Sequence, residues 1–137
     1  MTTNTNSHIY QGEKTWVECD NSQQIILLHC HAYTDMTEYK TALLESLNYA
    51  HNHHIKKYIF DHRQLQLLAE GHLWFEQKWL PEALKKLGNI SMAFLVSQKT
   101  NGETALKKTM PNRFPPNSFQ VGFFQQENAA HKWLQEH

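Results

Sequence analysis

Glycine is scarce in this 137-residue chain. Its five copies form no G-x-G-x-x-G, P-loop or G-x-S-x-G pattern. The sequence therefore offers no recognisable phosphate cradle or strained nucleophile elbow, and the motifs of the common NTPases, dehydrogenases and hydrolases are missing. Cysteine is rarer still. Cys19 and Cys30 are the only two. If Asp20 to Ser22 turn a hairpin, Cys19 faces Gln23 and Cys30 lies roughly 24 Å further along, at ~3.4 Å per residue. No disulfide spans that distance. Two unbridged thiols, and an opening "MTTNTNS" with neither basic cluster nor apolar core, point to the cytoplasm.

Charge of either sign is not in excess: thirteen Lys and Arg face thirteen Asp and Glu. No net field steers the chain toward nucleic acid or an anionic membrane. No apolar run approaches the ~20 residues that cross a bilayer, so no integral membrane segment is expected. Histidine is the one residue in surplus, with ten copies. These would add positive charge below about pH 6.5.

The length suits one domain with a substantial core, over residues 8–137 after a disordered tail at 1–7. "IYQG" and "TWVEC" read as one first strand with an irregularity at Gly12. "QQIILLHCHAY" reads as a second, covered on both faces at Ile25 to Leu28. "DMTEYKTALLESLNYAHNHH" is a helix with Asp35 as its cap, Glu38 completing a capping box, and a stripe of Met36, Tyr39, Leu43, Leu47 and Ala50.

"KKYIFD" is a short buried strand. "AEGHLWFEQKWLPEALKKLG" follows as a helix that Pro81 should kink near Trp79 or restart, and that Gly88 should end. "ISMAFLVS" is a strand, Thr100 to Met110 a short helix, "FQVGFF" the last strand and "QENAAHKWLQEH" a terminal helix. The expected fold class is α/β: a mixed sheet, hairpin first and mainly parallel afterwards, with about four helices in the order β-β-α-β-α-β-α-β-α.

Three groups of residues carry chemistry. Asp61, His62 and Arg63 end the third strand, on the side where open α/β sheets bind ligands. Asp61 could be a base or a ligand contact and Arg63 an anion clamp. Alternatively, all three only cap a turn, and consecutive residues point in different directions. His29 and His31 share one face of a strand and could supply two of the three or four ligands that zinc needs. Trp74, Phe75 and Trp79 exceed what an inward stripe of Leu73, Leu80, Leu84 and Leu87 requires. They suggest an exposed patch or pocket wall, with ordinary core packing as the equal alternative. No basic stripe interleaves with these rings, so nucleic acid is not the expected partner.

"YIFD" with "HRQL", then "WLPEAL", "ISMAFLVS" and the closing "FFQQENAAHKWL" resemble the SpoIIAA-like/STAS superfamily, particularly its small stand-alone bacterial members. The resemblance runs from Ile9 to Leu134. It implies a small α/β domain without enzymatic activity of its own; the expected reading is a domain with no cofactor or metal that recognises a protein partner or a small apolar ligand, with a homodimer among its expected assemblies. Family members acting as anti-sigma antagonists are switched by phosphorylation of a serine after the Asp-bearing strand. Here Ala69 and Glu70 occupy that place, and no hydroxyl side chain stands between Arg63 and Trp79. On this reading Asp61, Arg63, Glu70, Trp74 and Trp79 line the binding face. The competing expectation is a metal-dependent or hydrolytic enzyme using Asp61 with His62, or His29 with His31.

Overall fold

The computed structural model describes residues 6–32, 35–65, 69–97 and 119–137. Six strands form one mixed sheet: β1 (Asn6–Gln11), β2 (Thr15–Asp20), β3 (Ile25–Ala32), β4 (Lys57–Leu65), β5 (Ile90–Leu95) and β6 (Phe119–Phe124). They lie side by side in chain order. β1, β2 and β3 pair antiparallel, and β3 to β6 pair parallel. Helix α1 (Met36–His53) links β3 to β4. A second helical rod links β4 to β5 and consists of α2 (Ala69–Trp74), a π-helical turn (Phe75–Trp79) and α3 (Leu80–Leu87). α4 (Glu127–Gln135) follows β6.

The α/β class and the hairpin-then-parallel sheet match the expectation, whereas the order of elements does not. The first strand is two, because Gly12 to Lys14 turn the chain and do not merely distort it. Gly12 N–H donates to the Thr15 carbonyl at 2.7 Å. Asn6 and Ser7, expected in the tail, pair with Asp20 and Cys19, and the rest of that expected tail lies outside the described residues. Among the described residues there are three helical bodies, not four. The helix expected from Thr100 to Met110 lies outside them.

Asp35 caps α1, accepting from Thr37 N–H at 3.0 Å and Glu38 N–H at 3.3 Å. Glu38 does not complete the box. Its carboxylate reaches back across the β1–β2 turn to accept from Glu13 N–H at 3.2 Å and Lys14 N–H at 2.8 Å. That clip joins helix to hairpin across 25 residues.

Pro81 has its effect upstream. Proline lacks an N–H and crowds the carbonyl four residues back, so the preceding turn widens. Leu80 N–H bonds to the Phe75 carbonyl, five residues earlier. Gly88, at φ 87°, then ends the rod as expected.

One sheet face packs under α1 and the second rod, around Val17, Ile26, Leu28, Tyr58, Phe60, Met92 and Phe94. The other buries Ile25, Leu27, Ile59, Ala93 and Leu95 against Ala130 and Leu134 of α4. Lys57 Nζ donates to the Leu134 carbonyl at 2.6 Å, a cation placed on the open end of α4. A Cβ on Gly122 would lie 2.8 Å from the Phe124 ring and 3.2 Å from the Trp133 ring beside α4. Gly122→Ala is therefore expected to destabilise the fold by about 1–3 kcal/mol, seen as a lower thermal midpoint. An unchanged midpoint would contradict this packing.

Candidate functional site

The β2–β3 turn decides what meets on the sheet. Asp20 Oδ1 accepts from Ser22 N–H at 3.0 Å, Ser22 Oγ–H at 2.7 Å and Gln23 N–H at 3.2 Å. Gln24 enters the left-handed region at φ 59° and donates its N–H to the Asp20 carbonyl at 2.8 Å. This longer turn sets Cys19 opposite Ile26, not Gln23, and Trp16 opposite His29. Both cysteines are buried and unbridged. Burial pushes the Cys30 thiol up to about 12, despite a hydrogen bond with Thr15. It is thus no thiolate nucleophile at neutral pH.

Parallel pairing of β3 and β4 extends the rung from His29 to Asp61. Trp16, His29 and Asp61 therefore stand side by side on three strands. His29 and His31 do share a face, as their alternation predicts, and the Trp16 indole lies parallel to both imidazoles. The ring centroids are 4.7 Å apart with planes at 16°, and 5.0 Å apart with planes at 20°. One residue later the pairing slips, with His31 opposite Gln64, so β4 carries an extra residue. Such bulges re-aim side chains and gather near functional sites.

Asp61 and Arg63 form a closed pair. The Asp61 carboxylate accepts from Arg63 Nε–H at 3.0 Å, Nη2–H at 2.9 Å and the backbone N–H at 3.3 Å. His29 Nδ1 lies 3.6 Å from Oδ2 of the same carboxylate. Burial alone would raise Asp61. The His29 imidazole and the Arg63 guanidinium outweigh that and hold the carboxyl well below the usual carboxylate range. A carboxylate so satisfied stays ionised and is a weak proton acceptor.

The remaining expected site residues go elsewhere. His62 points to the opposite face, buried with its ring 5.9 Å from Phe60 and 5.4 Å from Phe94. Strand alternation thus sets Asp61 and His62 on opposite faces, and the structure does not bring them together. Trp79 is a core residue and not part of a surface patch: it is buried, with Nε1–H donating to the Leu43 carbonyl at 2.9 Å. Phe75 and Trp79 join the expected inward stripe, in which Leu80 and Leu87 are buried and Leu84 packs against the core, whereas Leu73 is half exposed.

Trp74 is half-buried against Tyr39, with Lys40 Nζ 5.6 Å from its ring. It belongs to the helical layer on the far side of the sheet from Asp61. The side chain of Glu70 lies outside the described residues. The expected site thus divides between two faces. Asp61 and Arg63 stay together on one and gain His29, His31 and Trp16.

Trp16 carried no signal in the residue pattern. Only the register of the hairpin would have exposed it. No group of three or more His, Cys, Asp or Glu among the described residues is arranged to hold a metal ion. No helix among them is long and apolar enough to cross a membrane. No protein-family model, curated protein or solved structure matches the chain.

Proposed function

We propose that this chain is a non-catalytic, STAS-like recognition domain of the cytoplasm, and that the face carrying Trp16, His29, Asp61 and Arg63 recognises its partner. The observation that carries this reading is the three-bond lock of Arg63 onto Asp61 beside His29. It spends the reactive potential of the carboxylate on holding a guanidinium still. Preorganised, partly exposed polar and aromatic groups are what a binding face requires.

The likeness to the STAS superfamily draws support from the chain-order run of parallel strands and from the Asp-bearing β4 ahead of a tryptophan-rich helix. A phosphoserine switch is not part of the proposal, because no hydroxyl side chain stands between Arg63 and Trp79.

The enzymatic reading keeps one specific observation, the approach of His29 Nδ1 to Asp61, which resembles a base and its orienting carboxylate. Arg63 competes for the same carboxylate, and Trp16 stacks on the imidazole. Both features favour a rigid platform over a proton shuttle.

Native mass spectrometry of untagged protein reads retained small molecules, captured proteins and subunit number together. Trp16→Ala and Arg63→Ala are each expected to reduce the bound species seen with the wild type by tenfold or more, about 1.4 kcal/mol or above. If both variants fold and keep the wild-type set of bound species, this face is not the recognition site.

A further inference from the structure

We infer that the face around Arg63 takes a ligand through a carboxylate group. This rests on the recognition reading above and names the chemistry that the same face would select. Among the described residues the Arg63 side chain makes hydrogen bonds to Asp61 through Nε and Nη2, and its backbone N–H donates to the same carboxylate. Its Nη1 makes none among the described residues, and the side chain is 39% exposed. The guanidinium is therefore clamped along one edge and presents the other.

The Trp16 indole N–H likewise has no hydrogen-bond partner among the described residues, although the ring is half-buried and stacked with two imidazoles. A partly buried indole N–H usually finds an acceptor. Trp16 on β2 and Asp61 on β4 lie on opposite sides of His29, and Asp61 holds the Arg63 guanidinium on that same face. Two held donors, Arg63 Nη1–H and the Trp16 indole N–H, have no acceptor among the described residues and lie near the carboxyl ends of parallel strands, a place for an incoming acceptor.

Charge selects which acceptor. Asp61 cancels Arg63 at contact distance, and Glu127 at the start of α4 also acts on the Arg63 charge. A face with two carboxylates around one guanidinium repels a phosphate dianion more strongly than a singly charged carboxylate. A planar carboxylate also matches the free edge of a planar guanidinium in two-bond geometry.

The test is a titration of 15N-labelled full-length protein with sodium acetate, inorganic phosphate and sodium chloride at equal ionic strength, followed by NMR. Trp16→Phe identifies the indole signal by removing it. Saturable shifts of the Trp16 indole and Arg63 Nε–H signals with acetate are expected, with weaker effects from phosphate and none beyond screening from chloride. Arg63→Lys, which keeps the charge but loses the fork, should weaken acetate by about tenfold.

Acetate shifts no larger than those from chloride, tighter binding of phosphate, or unchanged acetate binding in Arg63→Lys would each overturn the inference. Failure here leaves the recognition reading standing if Trp16→Ala and Arg63→Ala still lose the retained species in native mass spectrometry. If those variants lose nothing, the recognition reading falls as well.

Discussion

Replacing Trp79 with alanine is expected to destabilise the protein by about 3–5 kcal/mol, the range for deleting a large aromatic from a packed core. The ring is buried and sits among Tyr58, Phe60 and Phe75, with centroids 5.4, 5.9 and 5.1 Å away. Those neighbours belong to β4 and to the π-helical turn, so the cavity would open where the second helical rod meets the sheet. Because typical domains are stable by only about 5–15 kcal/mol, such a loss would move the urea midpoint far down.

Trp79→Phe should be much milder, at about 1–2 kcal/mol. It keeps a six-membered ring in place and removes the smaller pyrrole part with its N–H. The Leu43 carbonyl would still accept from Ser46 Oγ–H at 2.7 Å. If Trp79→Ala and Trp79→Phe shifted the midpoint equally, the cavity argument would be wrong.

Asp61→Ala is expected to cost about 1–3 kcal/mol near neutral pH, because it leaves the guanidinium of Arg63 without its acceptor in a partly buried setting. The effect has a definite pH signature. Arg63 and His29 hold the Asp61 carboxyl below its ordinary value near pH 4, so the unfolded chain takes up that proton first. The stabilisation is fully present above about pH 4 and drains away as pH falls toward the lower native value.

Wild-type unfolding free energy should therefore fall between about pH 4 and pH 2 more steeply than that of Asp61→Asn, with the two curves converging at the acid end. Denaturant unfolding at several pH values measures this directly. Parallel curves across that range would mean that Asp61 is not held ionised by its neighbours.

Much of the fold could be read from local pattern. The run from Asp35 to Ala50 marks its own cap and its own apolar stripe, and α1 is where those signals put it. Gly88 marks the end of the second rod, and the apolar runs at Ile59 and Ile90 mark interior strands. The site was legible only in fragments. Asp61, Arg63, His29 and His31 stood out by residue type, yet they fell into two competing hypotheses, because nothing in the chain said that β3 and β4 align His29 with Asp61. Trp74 and Trp79 stood out by size, and size does not say which side of a helix faces the core.

Residue order by itself determined where helices begin and stop and which strands are buried. Caps, proline, glycine and side-chain periodicity act over a few residues and need no distant partner. Only the tertiary structure decided which residues share a face. The Asp20 side chain lengthens one turn, and the hairpin partner of Cys19 moves from Gln23 to Ile26, an odd number of positions. In a strand whose side chains alternate, an odd slip exchanges the two faces of every residue. That is why Trp16 lies against His29, and, with the β3–β4 pairing that sets His29 beside Asp61, why no local reading could have assembled this site.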